Sequence, residues 1–226
     1  MSKDNAIDII VTTCGRLDYL KRTISRIIEA TSSLYRLHII DDGSNKEQKD
    51  YIYSLLNNNS VYSIMMRNKR EGAMSAINIG SWMGFSDPLV FTDDDVLCPI
   101  LSPDWLQRGT EAMHQHPEVA LLCLQHPGAK YKPTGDSGDI IYCKSVGGTF
   151  LFTRREFARK YPFPHHPGNL SRPLEPRCVI AYQTDWKIAY LKDVYCYHFG
   201  EDSILTGKKY QGRFIQPADW KTLNPG

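Results

Sequence analysis

Four short apolar runs punctuate the first hundred residues, and each stops at a cluster of polar residues or glycine. Residues 6 to 13, Ala-Ile-Asp-Ile-Ile-Val-Thr-Thr, are rich in β-branched side chains and read as a strand. Leu37-His38-Ile39-Ile40, the segment from Val61 to Met66, and Leu89-Val90-Phe91 read the same way. Between these runs the apolar period changes. Leu17, Leu20, Ile24, Ile27 and Ile28 recur at helical spacing, Tyr51, Ile52, Leu55 and Leu56 do so again, and a third helix is expected through Ala76, Ile77 and Gly80. The alternation β-α-β-α-β-α-β specifies a mostly parallel sheet with helices on its faces. Ligands of such sheets gather at the carboxyl ends of the strands. Four segments fall there: Thr12 to Arg16, Asp41 to Ser44, Asn68 to Gly72, and Asp93 to Asp95.

The run Asp93-Asp94-Asp95 follows directly on an apolar strand. Three carboxylates in such a place need a cation or water to offset the cost of leaving bulk solvent. A divalent metal is the simplest partner. Successive side chains of an extended segment point to opposite faces, so Asp93 and Asp95 share one side and Asp94 takes the other. Two hard oxygen donors on one side suit Mg2+ or Mn2+ carrying a phosphorylated ligand. The bland alternative is a solvated turn.

The second half has a different texture. Ser102-Pro103-Asp104 opens a helix to about His116, with Ser102 as its cap and Pro103 at its first position. Val119 to Leu124 is a strand, residues 126 to 139 read as a loop, and Ile140 to Tyr142 and Val146 to Phe152 follow. Pro162, Pro164, Pro167, Pro173 and Pro176 are too many for a helix or a central strand, so a long ordered or gating loop is expected. Tyr182 to Trp186 starts a short helix to about Leu191, and Val194 to Tyr197 is a last strand ending at His198. Gly147-Gly148 leaves room for a ligand against the backbone, and Trp186, Tyr182 and Trp105 are candidates to stack on a ligand's flat face, with core packing as the alternative for each. The tail from Glu201 to Gly226 carries Lys208, Lys209, Tyr210 and Arg213 and reads either as a basic lid over a bound anionic ligand or as a frayed end.

At 226 residues, with no repeat and no clear linker, the chain is read as one domain, 1–226. A formal net charge of +2 predicts no broad polyanion-binding surface, so nucleic acid is not an expected partner. No run approaches the roughly 20 apolar residues of a membrane span, and Met1 to Asn5 leads into a strand rather than a signal peptide. A cytoplasmic location is therefore expected, with peripheral membrane association left open. Cys14, Cys98, Cys123, Cys143, Cys178 and Cys196 show no CxxC pairing, which argues against a zinc site.

The order of Val11-Thr12-Thr13-x-x-Arg16, Ile39-Ile40-Asp41-Asp42-Gly43-Ser44, Asn68-x-x-x-Gly72, Thr92-Asp93-Asp94-Asp95, Gly147-Gly148-Thr149, Arg154-Arg155, Thr184-Asp185-Trp186 and His198 resembles the GT-A fold glycosyltransferases of the family 2 type. The resemblance covers about residues 6 to 200. It implies an α/β fold with a Rossmann-like, mostly parallel nucleotide-binding sheet flanked by helices and a smaller acceptor-binding part. Residues 1–100 would form the nucleotide-sugar half, 101–200 the acceptor-binding and catalytic half, and 201–226 a tail. The implied activity is metal-dependent, inverting transfer from a nucleoside-diphosphate sugar, UDP-sugars favoured, to a glycan or glycolipid, as in polysaccharide biosynthesis.

The same resemblance places Thr12, Thr13 and Arg16 along the nucleotide, with Asp42 or Asp41 accepting from a uracil-like ring N–H. It brings Arg70 and Gly72 to the donor's phosphate or sugar, and Asp93 and Asp94 to the donor as well. A metal would be held by two of the three aspartates, Asp93 and Asp95 by the alternation argument, with His198 as third ligand, and the imidazole tilts the choice to Mn2+ over Mg2+. Asp185 matches the catalytic base, a carboxylate at the start of a helix after the long loop, with Gly147, Gly148 and Trp186 on the acceptor side. Relatives often carry Glu-Asp where this chain has Thr184-Asp185. Three rival readings are a nucleotidyltransferase making sugar nucleotides, an aspartate-nucleophile phosphatase, and a non-catalytic sugar-nucleotide or glycan-binding domain. The first lacks its glycine-rich loop after strand one, and the second would carry its aspartates after the first strand, not the fourth.

Overall fold

The structure, a computed structural model, describes residues 5–126, 132–163 and 175–198. Its first half runs β1 (Ile7–Thr13), α1 (Leu17–Ala30), β2 (Tyr35–Asp41), α2 (Lys46–Asn57), β3 (Ser63–Met66), α3 (Ala73–Met83), β4 (Leu89–Asp93) and the two-residue β5 (Val96–Leu97). The second half adds α4 (Trp105–Gln115), β6 (Val119–Gln125), β7 (Pro133–Ser137), β8 (Ile140–Cys143), β9 (Leu151–Thr153), α5 (Arg155–Lys160), α6 (Glu175–Gln183), β10 (Lys187–Tyr195) and β11 (Tyr197–His198).

Nine strands form one mixed sheet in the order β3-β2-β1-β4-β9-β6-β10-β8-β7. β1 is its axis on the amino-terminal side. It pairs in parallel with β2, Thr13 beside Asp41, and with β4, Thr12 beside Asp93, so the polar ends of three strands lie at one edge. β9 joins the halves by running antiparallel to both β4 and β6, which sets Phe91, Leu151 and Cys123 level with one another. β11 pairs antiparallel with β5, His198 beside Val96, in a second small sheet. That pairing returns the end of the described chain to the aspartates.

The helices cover both faces, as a mostly parallel sheet requires. On one face Leu20, Ile24 and Ile27 of α1 pack with Trp105, Leu106 and Met113 of α4. On the other, Met74, Ala76 and Ile77 of α3 pack with Phe157 of α5 and Cys178 and Ala181 of α6. Each such fully buried large side chain contributes roughly 1.5–3 kcal/mol. All six cysteines are free thiols. Among the described residues no helix is long and apolar enough to cross a membrane.

Several expectations from the sequence need correction. The fourth helix starts later than Ser102: Asp104 is the cap, its carboxylate accepting from Gln107 N at 2.8 Å, and Trp105 is the first helical residue. Ser102 lost that role because Asp104 also receives the Ser32 and Ser33 amides, at 2.8 and 2.7 Å, tying α4 to the end of α1. Part of the expected loop at 126–139 is strand β7. The proline-rich stretch ends in helix α6, whose second residue is Pro176, where a missing N–H costs nothing. Pro164, Pro167 and Pro173 lie outside the described residues, as does the tail with Lys208, Lys209, Tyr210 and Arg213.

The largest difference concerns the helix expected from Tyr182. The chain there leaves a helix: α6 ends at Gln183, Asp185 takes a left-handed φ of 63°, and β10 begins at Lys187. Ile188-Ala189-Tyr190-Leu191 is buried throughout, and a short continuous apolar run has no period that separates strand from helix.

Gly80 brings α3 onto the sheet beneath β1 and β4. A Cβ there would stand 2.8 Å from both Ile10 Cγ2 and Phe91 Cε1. Gly80→Ala is expected to lower stability by about 1–3 kcal/mol through overpacking, read as a lower urea midpoint at unchanged m-value.

Candidate active site

The carboxyl edge of the sheet gathers most of the residues singled out from the sequence. The strand geometry of β4 stops at Asp93, and Asp94 and Asp95 form the turn into β5. Alternation therefore fails beyond Asp93. Asp93 accepts from Thr12 Oγ1 at 3.0 Å, across the β1–β4 pairing. Asp94 is fully buried and accepts from Thr13 Oγ1 at 2.5 Å. Arg16, just ahead of α1, bridges the other two: one guanidinium nitrogen bonds Asp94 Oδ1, and the other bonds Asp95 Oδ2 at 2.5 Å. His198 Nε2 stands 3.1 Å from Asp95 Oδ1 as an ion pair, delivered by the β5–β11 pairing. Among the described residues no other donor reaches that buried Asp95 oxygen.

These contacts divide the triplet electrostatically. Burial pushes the carboxyls of Asp93 and Asp94 above their ordinary value, with the neighbouring Asp95 adding to it. Burial acts on Asp95 too, but there His198 and Arg16 hold the carboxyl below its ordinary value. Burial disfavours a charged His198, yet Asp95 and Asp93 outweigh it and raise the imidazole. The donor chemistry fits a divalent cation: a buried carboxylate oxygen of Asp95, the His198 imidazole nitrogen 3.1 Å from it and a second carboxylate on Asp93. Among the described residues, however, no three His, Cys, Asp or Glu side chains are already gathered as a metal-holding group.

The turn after β2 separates two neighbouring aspartates into different tasks. Asp42 accepts from Arg67 Nη1 and Glu71 N, each at 2.9 Å, and from Gly72 N at 2.7 Å. Its carboxylate clasps the segment before α3, where Gly72 has φ 98°. Gly43, at φ 82°, lies so close that a Cβ would meet Arg70 N and Lys69 C at 2.7 Å. Asp41 is also fully buried, but among the described residues Oδ2 accepts only Ser44 N at 3.1 Å and Oδ1 has no partner. Arg70 is exposed on the same turn.

Gly147 and Gly148 precede β9 and so lie past the same edge. Gly147 N donates to the Tyr190 hydroxyl at 3.0 Å, and a Cβ on Gly147 would meet only Thr149 Oγ1, at 3.9 Å. Asp185 and Trp186 do not join this group. Lys187 pairs with Val119, whereas Gln125, six residues further along β6, is level with Asp93. At about 3.3 Å per residue Asp185 is therefore about 20 Å away along the strands, at the amino edge. Trp186 is half-buried there, 6.1 Å from the Phe157 ring.

The structure adds residues that the sequence reading passed over. Gln48 is fully buried and donates through Nε2 to Thr13 Oγ1 at 2.7 Å, so a polar chain runs Gln48, Thr13, Asp94, Arg16, Asp95, His198. Thr23, also fully buried, donates to Asp94 O at 2.8 Å. His126 lies 5.9 Å from the His198 ring. A signal for Gln48 and Thr23 existed: each occupies a core-facing position of an amphipathic helix, beside Ile52 and Leu55 in one case and Leu20 and Ile27 in the other.

This sheet order, with its acidic turns at the carboxyl edge, is that of the GT-A fold. GalNAc-T7, solved with UDP, GalNAc and Mn2+, shares it at a TM-score of 0.66 and 15% identity, over 85% of this chain and 43% of its own. So does the mannosyltransferase PcManGT of Pyrobaculum calidifontis, solved with GDP-Man and Mn2+, at 0.65 and 14%, over 84% and 55%. TarS of S. aureus follows at 0.62 and 12%, over 84% and 36%. The profile of Glycosyl transferase family 2 matches residues 8–171, and the chain belongs to that family. Protein CgeD of Bacillus subtilis (strain 168) is 27% identical over 119 residues, 50% of this chain and 27% of CgeD. The chain thus spans between 27% and 55% of CgeD, GalNAc-T7 and PcManGT.

The Asp42 clasp generates a test. Asp42→Asn takes from the nearly buried Arg67 its close, buried charge partner and leaves only the longer 3.7 Å pair with the exposed Glu71, and the substitution is expected to cost about 3 kcal/mol in a urea melt. Asp41→Asn, with no charge partner to strand, is expected to cost less than half as much.

Proposed function

We propose that this chain transfers a sugar from a nucleoside-diphosphate donor to a hydroxyl of a glycan or glycolipid, with a divalent cation at the diphosphate and inversion at the anomeric carbon. One observation carries the reading. A buried acceptor oxygen of Asp41, the acidic run with His198, and the open backbone at Gly147 share one edge of the sheet. Such a row has the order of a donor lying base first, diphosphate next and sugar last.

The unpartnered Asp41 Oδ1 is suited to a ring N–H. Uracil and guanine present one at that side of the ring; cytosine and adenine present an acceptor. Asp41 rather than Asp42 takes this role, because the Asp42 carboxylate is already engaged by three donors. A UDP-sugar is the favoured donor and a GDP-sugar the second, in keeping with the UDP and GDP-Man of the two structural neighbours. Thr12 and Thr13 line the nucleotide, with Arg70 on the turn that flanks it. Asp93, Asp95 and His198 would hold Mn2+, or Mg2+, which neutralises charge on the departing diphosphate as a Lewis acid.

The base that takes the acceptor's proton is a carboxylate at the start of the helix after the long loop. In the structure that helix is α6, and its first residue is Glu175. Only Thr184, Asp185 and Trp186 separate α6 from β10, so the helix runs back antiparallel to that strand. Its start therefore lies about 12 Å nearer the carboxyl edge than its end. Glu175 replaces Asp185 as the proposed base. Gly147 and Gly148 flank the acceptor.

Release of nucleoside diphosphate from UDP- and GDP-sugars, with Mn2+ and water or added glycans as acceptor, tests the assignment. Glu175→Gln is expected to lower kcat at least about 100-fold with donor Kd nearly unchanged, while Asp185→Asn stays close to the parent. Loss of turnover in Asp185→Asn at intact donor affinity would return the base to Asp185. No turnover of any such donor by the parent would overturn the transfer reading.

A further inference from the structure

Resting on that reading, we infer that Arg16 is a built-in counter-cation of the acidic run, and that it couples metal entry to the arrival of the diphosphate. The guanidinium spans two carboxylates that are otherwise shut away from water: the side chains of Asp94 and Asp95 are 0% and 7% exposed, and that of Arg16 is 23% exposed. It thereby supplies the positive charge that buried carboxylates demand. Both contacts are charge-assisted hydrogen bonds, and the one to Asp95 uses Oδ2, leaving Oδ1 to face His198.

A divalent cation approaching Asp95 Oδ1 meets this guanidinium across a single carboxylate. Two like charges so placed, in a site with little water, repel strongly. Either the metal stays out or Arg16 lets go. The residue is equipped to let go. It sits ahead of α1 at φ −127° and ψ 62°, outside the helical hydrogen-bond ladder except for its carbonyl, with its guanidinium 5.6 Å from the centroid of the half-buried Tyr19 ring. Its long side chain can therefore swing without moving the helix.

What makes release favourable is a second anion. A diphosphate laid along the carboxyl edge offers the planar fork the same bidentate partner that the two carboxylates gave it. Arg16 then holds the phosphates while the metal takes over Asp95, so metal and nucleotide each strengthen the other's binding. A lysine would not serve equally, since its point charge holds one carboxylate at a time.

Mn2+ titrations of the parent, Arg16→Ala, Arg16→Gln and Asp95→Asn, with free Mn2+ read by EPR and melting temperature followed in parallel, decide the matter. Without nucleotide, both Arg16 variants are expected to bind Mn2+ at least about tenfold more tightly than the parent, with a correspondingly larger rise in melting temperature. With UDP or GDP present, that advantage is expected to shrink or reverse. Arg16 variants that bind Mn2+ no better than the parent without nucleotide would overturn the inference. So would an Arg16→Gln protein that stays unfolded even in millimolar Mn2+, since the metal could not then replace the guanidinium. The metal reading has a separate outcome: it fails if the parent binds no Mn2+ with either nucleotide, or if Asp95→Asn binds as well as the parent.

Discussion

Carboxylates buried at the ends of parallel strands have to be neutralised from inside the fold, and the rest of this structure is arranged around that requirement. β1 ends in Thr12 and Thr13, which give hydroxyl donors to Asp93 and Asp94, and Arg16 follows three residues later with, among the described residues, the only guanidinium that bonds the run. The parallel pairing of β1 with β4 places them there. On the far side, β10 passes the edge and β11 folds back onto β5 to bring His198 against Asp95. The sheet's hydrophobic packing makes the edge rigid, and the polar chain from Gln48 to His198 fixes which oxygens are left to bind something else.

The same principle separates Asp41 from Asp42. Two adjacent carboxylates at the end of β2 look interchangeable in sequence, yet one is spent on holding the Arg67–Gly72 segment and the other keeps a buried oxygen without a donor. An unsatisfied buried acceptor is costly, on the order of 1–3 kcal/mol, and fits a ligand donor better than any structural role. Asp42 does structural work, and the binding role proposed for Asp41 would complement it, because the clasped turn also carries Gly43 and Gly72 at positive φ.

Much of this was legible in the sequence for a simple reason: strand and helix differ in apolar period, and polar residues clustered where apolar runs stopped. Hence the first four strands, three helices and the gathering of Thr12, Arg16, Asp41 and Asp93 at one edge follow from pattern, while His198 joins them only through the resemblance to a family. What was hidden depends on contacts between distant segments. Ile188 to Leu191 carries no period, so the sequence predicts a helix where β10 stands and puts Asp185 at the start of a helix, whereas the structure has it between the end of α6 and the start of β10. The alternation rule assumed that strand geometry continued through Asp95, whereas β4 ends at Asp93. Gln48 and Thr23 showed only as polar residues on apolar helix faces, and their partners come from other strands.

The central claim is that this edge holds a nucleoside diphosphate through a metal at the acidic run and a ring N–H at Asp41. Calorimetric titration with UDP, GDP, CDP and ADP, each in Mn2+ and in EDTA, tests it most directly. UDP is expected to bind most tightly and GDP next, both only with Mn2+, with CDP and ADP at least about tenfold weaker, the worth of one charged hydrogen bond. Binding of CDP as tight as UDP, or UDP binding unchanged in EDTA, would contradict the account.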